Sequence, residues 1–205
     1  MKRLFLAIIS ACLTLTLAAQ GGIRVNYQGA NPTIGDYAWA MLSQEAEEEE
    51  LEGEFDESTG AFKQAWIRLR EGLPQEEGVT LTVDQKNGFV LFEDEEDGSL
   101  LRIEMCYWNE ADGKHKLIAY NVGCYMDGQY SPGQFDGLVF YRYDTSTKEM
   151  SFCEAPGFEV EYGTDDGAWA SYALPRSGQD ITVTYWKDGS KKQKTLKWNG
   201  RQFSL

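Results

Sequence analysis

Asn-Gly or Asp-Gly pairs recur between residues 87 and 200: Asn87-Gly88, Asp97-Gly98, Asp112-Gly113, Asp127-Gly128, Asp136-Gly137, Asp166-Gly167, Asp188-Gly189 and Asn199-Gly200. Such dipeptides tolerate the positive φ angles of tight hairpin turns. Between them run segments rich in Val, Ile, Thr, Tyr, Phe and Trp, in which apolar and polar residues tend to alternate. The runs are residues 79–85, 88–94, 99–108, 115–126, 137–144, 149–155, 181–186 and 193–199. No helical period separates them, so the long crossovers that parallel strands require are not expected. Consecutive antiparallel strands are the expected outcome for residues 78–205.

The chain upstream follows a different period. Thr33 is placed to cap a helix beginning near Pro32, with Asp36 in its first turn and Ile34, Trp39 and Leu42 on one side. Residues 45–57 then hold nine acids in thirteen positions, a density of like charge that opposes a regular helix and reads as a solvated extension. A second helix restarts at Ser58 or Thr59. Phe62, Trp66, Leu69 and Leu73 make its apolar stripe, and Gly72 and Pro74 end it. Such a stripe needs a sheet to cover. The expected fold is therefore α+β: an acidic helical segment over residues 32–77 packed on an antiparallel, hairpin-connected sheet, either open or closed into a partial barrel.

The first residues point to export. Lys2 and Arg3 precede the apolar stretch LFLAIISACLTLTLAA, and the chain turns polar at Gln20. This is the layout of a secretory signal peptide over residues 1–19, followed by an exposed leader over 20–31. A secreted protein, periplasmic or extracellular, is the expectation. Lipidation at Cys12 is the weaker alternative, because it would strand LTLTLAA on the mature chain. After cleavage no transmembrane segment is expected. Three cysteines remain, Cys106, Cys124 and Cys153, allowing one disulfide among them in an oxidising compartment or three buried thiols.

Charge narrows the partners. The chain carries a formal charge of −14, yet residues 187–205 are basic, with Lys187, Lys191, Lys192, Lys194, Lys197 and Arg201 against Asp188. The acidic balance argues against nucleic acid, whose phosphates need a basic footprint. It suits a cationic partner, although solubility alone is the simpler explanation. The terminal lysines read first as protection of a sheet edge.

Motifs for chemistry are sparse. Glu93, Glu95, Asp97 and Glu104 fall at positions one, three, five and twelve of a calcium-type loop, with Gly98 at six. Strand-like rather than helical text flanks them, so an Asp-Gly hairpin is the preferred reading. No other metal or cofactor is called for. The single histidine, His115, sits between Lys114 and Lys116 at a turn, which suggests a surface position. No nucleophile elbow or phosphate loop is recognisable, and with 33 acids any chosen carboxylate pair is uninformative. A glycan-directed hydrolase with dispersed carboxylates and a calcium-binding structural module remain the alternatives.

Two long connections, residues 127–137 and 155–178, are the better places to look. They carry Tyr130 and Phe135, and Phe158, Tyr162, Trp169 and Tyr172. The rings either fold back over the sheet edge or face a protein or glycan partner. Residues 158–163 have the composition of a further short strand. Tyr130, Phe135, Trp169 and Tyr172 are the candidate ligand-binding residues. The function expected is an exported, non-enzymatic binding or interaction protein, an inhibitor-like or accessory subunit.

Overall fold

The computed structural model describes residues 22–52, 57–133 and 136–205, with side chains of 45–52 and 57–59 set aside. Residues 1–19, read above as a signal peptide, Cys12 and Phe135 thus lie outside the described residues. Strand β1 is Ile23–Arg24; helices α1 and α2 span Ile34–Glu52 and Glu57–Glu71. Then follow β2 (Val79–Asp84), β3 (Phe89–Glu96), β4 (Ser99–Asn109), β5 (His115–Met126), β6 (Gln129–Tyr130), β7 (Gly137–Asp144) and β8 (Glu149–Cys153). The last four are β9 (Trp169–Ala173), β10 (Ile181–Lys187), β11 (Ser190–Trp198) and β12 (Phe203–Ser204).

All named strand pairs are antiparallel, as the hairpin punctuation predicts. They form two sheets rather than one. The larger runs β1-β8-β7-β5-β4-β3-β2, with β6 paired to β5; the smaller runs β12-β11-β10-β9. The larger sheet curls into a half-barrel, and among the described residues β1 and β2 are its free sides. Three Asp-Gly pairs make two-residue turns with both residues at positive φ: Asp97-Gly98, Asp127-Gly128 and Asp188-Gly189. These twist with the strands they join, which fixes register at β3–β4, β5–β6 and β10–β11. Asp136-Gly137 does not turn; Gly137 opens β7.

Both faces of the larger sheet are covered, so its strands bury alternate residues in two cores. Toward the helices point Val90, Phe92, Ile103, Met105, Ile118 and Tyr143, against Ile34, Tyr37, Met41, Leu42, Phe62 and Trp66. Toward the smaller sheet point Phe89, Cys106, Trp108, Leu117, Ala119 and Phe140, against Tyr172, Ile181, Val183, Leu196, Trp198 and Phe203. Full burial of each such side chain is worth about 1.5–3 kcal/mol.

Thr33 caps α1 as expected. The Asp36 carboxylate accepts from the Thr33 amide at 2.7 Å and from its hydroxyl at 2.8 Å, the reach-back half of a capping box. Gly72 ends α2: its amide donates to Leu69 C=O, and the Leu73 amide donates to Arg68 C=O at 2.8 Å.

Several expectations need correction. The leader is not wholly exposed, because Ile23–Arg24 pairs with β8 and Val25 is buried. The acidic run continues α1 in backbone as far as Glu52 rather than leaving the helix. The stripe of α2 is buried only at Phe62 and Trp66, while Leu69 and Leu73 are 43% and 48% exposed. Residues 158–163 do not form a strand; Gly163 makes one bridge to Trp169. Among the described residues Cys106, Cys124 and Cys153 form no disulfide. Cys106 and Cys153 share a face but lie on β4 and β8, three strands or about 14 Å apart, and Cys124 on β5 sits several residues out of register with both. A disulfide needs Cα atoms closer than about 7 Å. Among the described residues no helix is long and apolar enough to cross a membrane.

Candidate functional site

The β5–β6 hairpin folds Tyr125 directly over Tyr130, its cross-strand partner, with ring centroids 5.6 Å apart. Trp186 of β10 completes a three-ring cluster, 6.2 Å from Tyr125 and 6.3 Å from Tyr130. Its indole N–H donates to Ser171 Oγ at 2.7 Å, which fixes the ring plane. Trp169 of β9 is the register partner of Trp186, so the two project from the same face side by side. Trp169 is 46% exposed, with Tyr162 at 42% in the preceding loop. Exposed rings of this size on a β framework are unusual, because large aromatics bury where they can.

Cations border the rings. The Arg102 guanidinium carbon lies 5.7 Å from the Tyr125 centroid and Lys191 Nζ 4.1 Å from that of Trp186. Arg102 is held by Glu93, whose Oε1 accepts from Nε at 2.9 Å and from Nη2 at 2.6 Å. Burial, together with Asp136 beside it, raises the Tyr130 hydroxyl well above its ordinary range, so it stays a neutral donor. The face therefore offers ring surfaces bordered by the Lys191 cation, with the Arg102 charge paired to Glu93 and the Tyr130 hydroxyl bonded to Asp136.

Beneath the face lies a polar joint between the sheets. Among the described residues no named strand pairs with the outer side of β9, which meets only Gly163 in a bridge at Trp169. Instead Glu104 Oε2 accepts from the Leu174 amide at 2.9 Å, and Asn121 Nδ2 donates to Tyr172 C=O at 2.9 Å. Asn121 Nδ2 also reaches Glu104 Oε2 at 3.3 Å. Residues 172 and 174 present these groups on one strand edge, so the two side chains substitute for a neighbouring strand. Burial pushes the Glu104 carboxyl above the usual carboxylate range, against the opposing pull of the Leu174 N–H and Arg102. Glu104 thus has the raised pKa of a general acid, but these hydrogen bonds commit it to holding β9.

The candidate residues separate cleanly. Tyr130 is in the cluster and Trp169 on its rim. Tyr172 is not: it is buried on the other face of β9, its hydroxyl bonded to the Glu161 amide and carbonyl. Phe135 is outside the described residues. Tyr125, Trp186, Arg102 and Lys191 were not singled out by the sequence. A two-residue turn at Asp127-Gly128 implies the Tyr125–Tyr130 pair, and alternation in β10 puts Trp186 opposite Ile181 and Val183; those were the available signals.

The calcium-type loop is a hairpin. Asp97-Gly98 forms the turn, Glu93 faces Arg102, and Glu104 is buried at the joint, so the acids are committed separately. A different trio, Glu110, Asp112 and His115, brings one ligand atom each within 4.8 Å. Its partners are intramolecular. Asp112 Oδ1 accepts from the Lys114 and His115 amides, Asp112 Oδ2 lies 2.5 Å from His115 Nδ1, and Glu110 Oε1 accepts from Arg142 Nε at 2.8 Å. His115 Nε2 lies 3.6 Å from Asp144. The hydrogen bond to Asp112 raises the imidazole pKa against its partial desolvation, and the carboxylate is lowered in return. The network ties together the ends of β4, β5 and β7.

No family model, no curated protein and no solved structure matches this chain.

Proposed function

We propose that the chain is an exported, non-enzymatic binding protein that holds a protein or glycan partner on the aromatic face built by Tyr125, Tyr130, Trp169 and Trp186. The observation that carries this reading is Trp169, half exposed beside a Trp186 whose ring is fixed by Ser171. Pre-set rings cost little entropy to dock and offer flat apolar surface, which suits the carbon-bearing face of a sugar or a buried side chain of another protein. Arg102 and Lys191 fix polarity around them. The two arginine-to-carboxylate bonds keep Arg102 oriented before any partner arrives.

Export rests on the N-terminal sequence, which has a basic start, an apolar stretch and a polar exit. The net acidity would speed the approach of a basic protein. The test is tryptophan fluorescence titration of the purified protein against a glycan panel and against lysozyme as a cationic protein probe. Trp169→Ala should weaken binding of whichever probe responds by about tenfold or more while leaving the melting temperature unchanged. Unaltered affinity in a folded Trp169→Ala variant would remove this face from the reading.

A further inference from the structure

Long sheet edges invite pairing with other chains, and this protein blunts most of its own. The outer edge of β11 carries Lys191, Lys192 and Lys194, the edge of β9 is filled by Glu104 and Asn121, and β1 and β12 are two residues each. Strand β2 is different. It is six residues long, contains neither Lys nor Pro, and among the described residues no strand pairs with its outer side. Leu81 and Val83 are only partly buried, while their partners one strand inward, Phe92 and Val90, are fully buried.

The sequence of this edge reads the same in both directions: Val79-Thr80-Leu81-Thr82-Val83. The Glu95 amide donates to Gly78 C=O at 3.1 Å, which places the backbone groups of Gly78, Thr80 and Thr82 on the β3 side. Alternation then turns the N–H and C=O of Leu81 and Val83 outward. An antiparallel second copy, related by a two-fold axis at Leu81, would set Leu81 N–H against Leu81 C=O, Val83 N–H against Val79 C=O and Thr80 against Thr82, while the Val79 N–H stays bonded to Glu76 C=O of its own chain at 3.1 Å. Such an interface is isologous by sequence as well as by symmetry.

Charge does not oppose this register: Lys86 comes opposite Glu76 of the second copy, which Arg68 holds at 3.1 Å in its own chain, and Asp84 is paired with Arg176 Nε at 3.0 Å. Paired residues of antiparallel strands share a face, so the helical layers of both copies would lie on one side of the joined sheet. On that side α2, which packs on β2, leaves Leu69 and Leu73 exposed. We propose that β2 is a homodimerisation edge, through which two copies of the chain join their larger sheets into one continuous sheet about a two-fold axis at Leu81.

The test is sedimentation velocity on the purified protein and on two double variants, Thr80→Lys/Thr82→Lys and Thr80→Glu/Thr82→Glu. The register places like charges opposite each other twice in each variant, raising the dimer dissociation constant about tenfold or more, whereas an equimolar mixture should restore dimers. Val83→Pro is a second route, since the N–H it removes faces outward and an edge strand tolerates proline. It should give a folded monomer. A monomeric wild-type protein, dimers indifferent to all three variants, or a mixture of folded variants that fails to pair would each overturn the proposal.

Discussion

Replacing Glu104 by leucine should loosen the docking of the smaller sheet. The side chain is 6% exposed, and its Oε2 is the acceptor for the Leu174 amide on the open edge of β9. Leucine fills the same volume but leaves that N–H buried without a partner, at a cost of about 1–3 kcal/mol. Loss of the contact from Asn121 adds a smaller amount, since Asn121 keeps Tyr172 C=O. A total of about 2–3 kcal/mol corresponds to a fall in Tm of roughly 5–10 °C for a chain this size. Glutamine at the same position retains an acceptor for Leu174, so Glu104→Gln should stay within about 1 kcal/mol of the parent at neutral pH. The pH dependence separates charge from geometry. Because burial raises the folded pKa of Glu104, the folded state favours the neutral acid. Its contribution is therefore fully present below the unfolded value of about 4.3 and is lost as pH rises through the folded pKa. Glu104→Gln should remove that decline. Urea unfolding followed by tryptophan fluorescence, repeated across pH, measures both effects. A Glu104→Leu variant as stable as the parent would refute the edge-capping role.

Two further predictions rest on single positions. His115 should titrate above its ordinary value of about 6.5 in an NMR pH titration, and Asp112→Asn should bring it back toward that value, because the Asp112 hydrogen bond is the largest cause of the rise. Gly157→Ala should destabilise the fold by more than the roughly 1–2 kcal/mol of a left-handed backbone, measured by thermal melts, since φ is +89° and an added Cβ would lie 2.3 Å from the Phe203 carbonyl oxygen.

What was legible in the sequence was local. Residues 115–126 and 137–144 are strands with the expected bounds, and Thr33 and Gly72 bound their helices for the expected reasons. These signals act over a few residues. The division into two sheets was not legible, because β9 is five residues inside a long connection and its partner β10 begins only after a further irregular segment. Its alternation, Trp169-Ala170-Ser171-Tyr172-Ala173, is too short to be distinguished from a loop rich in rings. Glu104 was equally hidden. It alternates with Ile103 and Met105 as a solvent-facing residue would, and only the second sheet turns that outer face into an interior. The contact that explains it, to Leu174, spans 70 positions.

The site inherits this dependence on distant pairing. Tyr125 and Tyr130 belong to the larger sheet and Trp169 and Trp186 to the smaller, so the aromatic face exists only where the two are docked. Their relative placement is set by Glu104 and Asn121 on the edge of β9 and by Ser171, the cross-strand partner of Thr184, under the Trp186 ring. A partner that binds only the docked arrangement stabilises it by about 2.7 kcal/mol at a hundredfold excess over its dissociation constant. That is the same size as the loss expected from removing the Leu174 acceptor. Binding at the face and docking at the joint are therefore thermodynamically linked: energy put into one is returned in the other. A buried carboxylate, costly to keep in an apolar seam, is compatible with the proposed binding role because its hydrogen bond to Leu174 holds β9, and with it Trp169, where the face requires it.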